Sequence, residues 1–317
     1  MSENNEQNAA DLIGDIGFSE PIPAQESQFV IPNSMKPKEV VHENLIEDIG
    51  WLNIPLENLP SKGRFYPDGT TIRVRPASAA EIRHWSTIDE NDLKSADDAL
   101  NKVAERCIKI SIPGVISTFK DVKDIDRFYL IFGAREITFK KGENAINVNF
   151  ECKKCGKKEV KTITKEMISF YNGDNDVLEK YYDNSTKSYL LKLTNGEIFN
   201  LYVPSIGVST FIFNTAKDLY AKGGNIDEAF LKWAPFLVKD WRILNEAYYT
   251  KLLQDSFLFS FDKIGVLDYF VTQVQKSIDP KLRSNCSACS HEVTAPLDFP
   301  GGLKSLFLIS DISSKLL

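Results

Sequence analysis

Phe150-Glu151-Cys152-Lys153-Lys154-Cys155-Gly156-Lys157-Lys158 is matched far down the chain by Asn285-Cys286-Ser287-Ala288-Cys289-Ser290-His291-Glu292. In each stretch a Cys-x-x-Cys turn aims two thiolates at one point. Two such turns supply the four ligands of a tetrahedral zinc ion at about 2.3 Å. Alternating residues flank the first turn, Ile146 to Phe150 before it and Glu159 to Ile163 after it, so a β-hairpin is expected to carry it. The reading is a zinc ribbon assembled from residues 146–165 and 283–296, with Cys152, Cys155, Cys286 and Cys289 as ligands. Between Cys155 and Cys286 lie 130 residues. Closing a loop of that length restricts the unfolded chain by on the order of 4–5 kcal/mol, judged from the disulfide analogue, so a metal that closes it adds to folding.

The zinc is read as structural. A catalytic site keeps an open position, whereas four thiolates fill the sphere. A zinc deaminase would show His-x-Glu and Pro-Cys-x-x-Cys, but Asn285 precedes the second pair and His291-Glu292 lacks the spacing. His-Glu-x-x-His also fails, since position 295 is Ala. His291 reads as a solvated loop residue and His84 as a surface or helix-packing one. The fifth cysteine, Cys107, falls on an apolar helical stripe with Leu93, Ala96, Leu100, Val103 and Ile110, which predicts a buried free thiol.

Length and composition limit the rest. The chain has 317 residues, 43% apolar and 26% charged, as in a soluble globular protein able to bury a large core. No apolar run approaches a membrane span, and the acidic, amide-rich start has no secretory pattern, so folding in a reducing cytoplasm is expected. Residues 1–50 hold ten acidic residues against two lysines, a net of −8, which leaves +2 on residues 51–317. An acidic arm on a near-neutral body gives no general reason to bind nucleic acid.

Along the chain, residues 1–44 carry Pro21, Pro23, Pro32 and Pro37 and no sustained period, and read as an extended or disordered arm. Residues 45–145 read as a strand followed by helices. Leu59 to Thr70 is rich in turn formers, Thr71 to Pro76 alternates as a strand, and Ser78 with Glu81 has capping-box spacing. A second helix is predicted from Val122 to Ile137. Residues 146–317 hold the ribbon and its insertion: a hairpin from Ser188 to Val203 turning at Asn195-Gly196, then helices over about 206–221, 226–256 and 262–277. The class is α+β, a helix-rich body with β-hairpins and a four-cysteine module split by a long helical insertion.

No Gly-x-Ser-x-Gly, Walker-type loop or Gly-x-Gly-x-x-Gly occurs, and the three histidines are scattered. Lys153, Lys154, Lys157, Lys158 and Lys161 surround the first turn. Zinc with four thiolates carries a formal −2, which nearby lysines offset. The alternative is a nucleic-acid-associated ribbon using Lys154 and Lys157, although no base-stacking aromatics are interleaved there. A surplus of aromatics on the long helices, Phe257 to Phe261 among them, would mark a protein interface.

Leu59-Pro60-Ser61-Lys62-Gly63-Arg64-Phe65-Tyr66-Pro67-Asp68-Gly69, then Ile72 to Pro76 and Ala79-Ala80-Glu81, resembles the opening of the T-even-type baseplate hub subunit family of contractile phages. The helix with Asp121, Asp126 and Arg135 is similar to that family's second helix, Cys152 to Gly156 to its zinc-ribbon-like part, and Cys286 to Cys289 with Phe299-Pro300 to its end. The resemblance implies a non-enzymatic structural or assembly component of the tail baseplate, located in the virion and assembled in the host cytoplasm. Its expected partners are other hub and tail proteins rather than nucleic acid, a membrane or a small-molecule substrate. Lys62, Gly63, Arg64, Phe65 and Tyr66 are the candidate partner-binding residues.

Overall fold

A computed structural model describes residues 50–89, 91–139, 146–162, 167–170, 175–225, 227–278, 280–296 and 306–307. Contacts divide the chain into Met1–Asp48, which lies outside the described residues together with the acidic arm, and Ile49–Leu317, which holds every element below.

The first sheet is antiparallel, β1 (Leu52–Ile54), β2 (Thr71–Val74) and β3 (Ile108–Ser111), with Ile72 facing Ile110 across the second pair. Two helices separate β2 from β3. Helix α1 (Ala79–Ser86) starts at Ser78, whose hydroxyl accepts the Glu81 N–H while the Glu81 carboxylate takes the Ser78 N–H, the expected capping box. Helix α2 (Leu93–Cys107) buries Cys107 completely, and burial pushes that thiol up to about 12. The helical stripe was expected to reach Ile110, but the chain turns extended at Ile108. Ile108 and Ile110 are β-branched, alternate with Lys109 and Ser111, and pair with β2, so a strand wins over another helical turn.

Helix α3 (Asp124–Thr138) follows a short 3-10 turn, Phe119–Asp121, and is the central pillar. Ile125, Asp126, Arg127, Leu130, Ile131, Phe132, Ala134 and Arg135 are all buried, so it is covered on every side. Two apolar cores flank it. One joins Trp85, Ile131, Phe132 and Phe150 with Leu282, Val293 and Phe307. The other joins Phe65, Ile125 and Tyr189 with Trp233, Tyr249 and Val271. Between them, Ile206 N–H donates to Val122 O and Asp124 N–H to Pro204 O, tying distant chain segments side by side.

The expected hairpin forms as β8 (Ser188–Lys192) and β9 (Ile198–Leu201), with β7 (Tyr182–Asp183) added at the edge and Gly196 at φ 88° in the turn. Helix α4 (Asn175–Tyr181) precedes it, and α5 (Ile206–Ala221) and α8 (Phe261–Ile278) occupy predicted spans. The helix expected over 226–256 is broken. It resolves into α6 (Glu228–Trp233), 3-10 turns at Ala234–Leu237 and Trp241–Ile243, and α7 (Glu246–Ser256). Pro235 lacks the N–H a continuing helix needs, and Asp227, Asp240 and Asn245 each cap a fresh start with their side chains.

Candidate functional site

The two Cys-x-x-Cys turns sit at the tips of two hairpins. The first joins β4 (Asn147–Glu151) to β5 (Lys158–Thr162), and the second joins β10 (Pro280–Asn285) to β11 (Glu292–Pro296). Strand β6 (Ile168–Phe170) extends the second sheet against β10. Predicted strand residue Ile163 lies outside the described residues.

The turns share one hydrogen-bond plan. Cys152 N–H donates to Lys157 O at 2.9 Å and Gly156 N–H to Cys152 O at 2.7 Å; Cys286 N–H donates to His291 O and Ser290 N–H to Cys286 O, each at 2.9 Å. The residue after the second cysteine is left-handed in both, Gly156 at φ 70° and Ser290 at φ 54°. Glycine accepts that conformation freely, whereas serine does so at a cost of about 1 kcal/mol.

All four sulfurs lie within 4.8 Å of one another. Cys152 Sγ is 3.6 Å from Cys289 Sγ, and Cys155 Sγ is 3.6 Å from Cys286 Sγ. Thiolates bound to zinc at about 2.3 Å stand about 3.8 Å apart in a regular tetrahedron. The spacing and the soft, all-sulfur donor set therefore fit such an ion, with Cys152, Cys155, Cys286 and Cys289 as its holders. Cys152 and Cys286 face the first core and Cys155 faces solvent. The backbone amides of Ala288 and Cys289 hold the Cys286 thiol down at about 7. At Cys155 the Lys157 amide pulls the same way, but the neighbouring Cys289 and Cys286 sulfurs outweigh it and push the thiol up to about 12. Crowded thiols resist ionising together, so loading a cation here releases protons.

The lysines around the first turn are divided in use. Lys157 Nζ donates to Ser287 Oγ at 2.6 Å, and Lys161 Nζ reaches Ser284 Oγ at 2.7 Å and the Asn285 carbonyl, all on the opposite hairpin. Glu159 accepts the Ser287 N–H from the same strand as Lys161. These contacts lock the hairpins across the cluster. Lys153 and Lys154 are exposed. His291 contributes its carbonyl to the turn and is exposed, as is His84 on α1.

The Lys62–Tyr66 segment lies elsewhere, and most of it points inward. Phe65 enters the second core against Tyr182 and Tyr189, and Tyr66 enters the first. Arg64 makes a two-pronged pair with Glu179, lies 4.5 Å from the Tyr182 ring centre, and accepts the Tyr182 O–H on its carbonyl. Lys62 is exposed at φ 52°, and Gly63 beside it could not carry a side chain, since a Cβ would stand 2.8 Å from Leu56 Cβ.

Pattern reasoning missed the anchor of this loop, Asp126 on α3. Its carboxylate accepts Ser61 N–H at 2.9 Å and Tyr66 O–H at 2.8 Å, and Tyr66 Oη accepts Lys123 N–H at 2.9 Å. Burial pushes the carboxyl up to about 6 despite those donors. Asp121 is equally committed: it accepts Thr118 N–H, Trp241 Nε1–H and both arms of Arg242. Arg135 lies over Phe132 and Phe139 and donates its Nε–H to Leu306 O, fixing the C-terminal Leu306-Phe307 on Trp85. These three charges on and beside α3 are internal latches.

Residues 52–198 match the family model described as T4 bacteriophage base plate protein. The matched span takes in the Leu59–Gly69 loop, α1 to α3 with their latches, and the first cysteine pair, and ends before the second. No curated protein and no solved structure gives a match.

Proposed function

We propose that the protein, whose residues 52–198 match the family model described as T4 bacteriophage base plate protein, is a non-enzymatic structural or assembly component at or near the central hub of the tail baseplate. The family match carries this reading. The geometry agrees with it, because the charged residues described above hold loops, hairpins and the C-terminal segment in place. Zinc, bound by Cys152, Cys155, Cys286 and Cys289 in a ribbon made of the two hairpins, would fix one end of the molecule.

Partner contact is assigned first to apolar residues left in the open. At the junction of α7 and α8, Phe257, Leu258 and Phe261 are 72%, 85% and 95% exposed, while Phe259 packs on Trp233. An uncovered aromatic cluster of that kind suits a protein interface. Within the Lys62–Tyr66 segment, the exposed Lys62 is the residue available to a partner. No helix among the described residues is long and apolar enough to cross a membrane. The nucleic-acid alternative is weakened by Lys157 and Lys161, whose ammonium groups are used between the hairpins.

Cross-linking mass spectrometry on purified phage particles and on tail-assembly intermediates tests the reading. Cross-links from the 257–263 turn to hub or tail proteins are expected in one or both preparations. A chain absent from both would overturn it.

A further inference from the structure

A cleft of about 520 Å³ opens beside the Tyr66–Asp126 latch, walled by the 112–121 loop, the 185–187 turn and the Lys239–Arg242 segment. Its charged lining consists of Lys123, Lys187, Lys239, Arg242, Asp121 and Asp240, four cations to two carboxylates. Both carboxylates are taken by Arg242: Asp121 through two hydrogen bonds, Asp240 at 3.1 Å. Three ammonium groups remain. Lys239 is exposed and has no ion pair among the described residues. Lys187 is paired at 2.9 Å with Asp68, whose side chain is 94% exposed and easily exchanged for another carboxylate. Lys123 is deeply set, and its ammonium donates to Val203 O at 3.0 Å. Burial lowers it to about 8, against the pull of Asp126, Asp121 and Asp240, so a further negative charge would suit it.

We propose that this cleft receives an acidic peptide segment of a partner protein, its carboxylates meeting Lys239, Lys187 and Lys123 and its aliphatic atoms lying on Val115. Val115 is 44% exposed on the cleft wall and its neighbour Ile116 is 92% exposed, an apolar shelf beside fixed cations. A nucleic-acid strand fits less well. The Trp241 ring that a base would need carries Lys120 and Arg242, each 4.9 Å from its centre. The inference rests on the baseplate reading for the kind of partner, and on the cleft alone for its chemistry.

The test titrates the full chain into a fluorescein-labelled peptide, Gly-Glu-Leu-Glu-Glu-Leu-Glu-Gly, and its all-glutamine counterpart at low salt, reading anisotropy. The acidic peptide is expected to bind roughly tenfold more tightly. Lys239→Glu should remove most of that difference, and Lys154→Glu, at the cysteine turn, should leave it intact. Equal binding of the two peptides would overturn the proposal. So would loss in Lys154→Glu with retention in Lys239→Glu, or displacement of the peptide by inorganic phosphate at equal concentration. Lys239 is exposed and its side chain forms no hydrogen bond or ion pair among the described residues, so its variant is expected to fold, which its melting temperature checks. A chain that joins baseplate complexes yet ignores the peptide sinks only the cleft assignment. One that binds the peptide but joins no baseplate complex sinks the functional reading instead.

Discussion

Asp126 shows how a single side chain can decide a loop. Its folded carboxyl, at about 6, binds a proton more tightly than in the unfolded chain. The stability contributed by that proton is fully present below the ordinary carboxylate range and is lost as pH rises through about 6. The unfolding free energy from urea titrations at pH 4 and pH 6.5 should therefore fall more in the wild type than in Asp126→Asn, by roughly 2 kcal/mol. Identical slopes would contradict the assigned burial. Lys123 acts at the other end: with its folded amine at about 8, its contribution grows as pH rises from there toward the ordinary lysine value. A second residue-scale expectation concerns Ser290, left-handed where its counterpart is Gly156. Ser290→Gly should raise stability by up to about 1 kcal/mol, read from the denaturation midpoint. Neither Asp126 nor Ser290 stood out by pattern. The partners of Asp126, Ser61 and Tyr66, are 65 and 60 residues away in sequence, a relation no local periodicity carries.

At the level of elements, what the sequence made legible follows from how local each signal is. The Asn195-Gly196 hairpin, the Ser78 capping box and both cysteine turns depend on residues within a few positions of one another, and all appear where expected. The 226–256 stretch keeps an apolar spacing that continues through Pro235 and the caps at Asp240 and Asn245, so helical period alone does not reveal its breaks. Ile108 to Ser111 departs from the helical period for a related reason: β2 offers a pairing edge that the periodicity of α2 does not contain. Helix α5 supplies a test of packing against propensity. Gly207 lies in its first turn, and a Cβ there would stand 2.6 Å from Trp241 Cγ and 2.9 Å from Lys120 Cβ. Gly207→Ala, normally stabilising in a helix, should instead cost about 1–3 kcal/mol in thermal or urea unfolding.

Over the whole molecule, two cores are joined through α3, and the hairpin that ends one long insertion meets the hairpin that begins it. The four-cysteine arrangement was the most legible long-range feature because cysteine is scarce and paired in a recognisable spacing. The latches around Asp121, Asp126 and Arg135 entered only through family resemblance, since charge alone suggests a solvated helix face. If the cluster is a metal staple, its removal should act on the whole fold. The decisive measurement is metal content by elemental mass spectrometry, with a thermal melt, on the wild type and on Cys286→Ser. Close to one zinc per wild-type chain is predicted, with loss of both the zinc and a substantial part of the thermal stability in the variant. A wild type that folds stably without metal, or a variant that keeps its zinc, would contradict the staple.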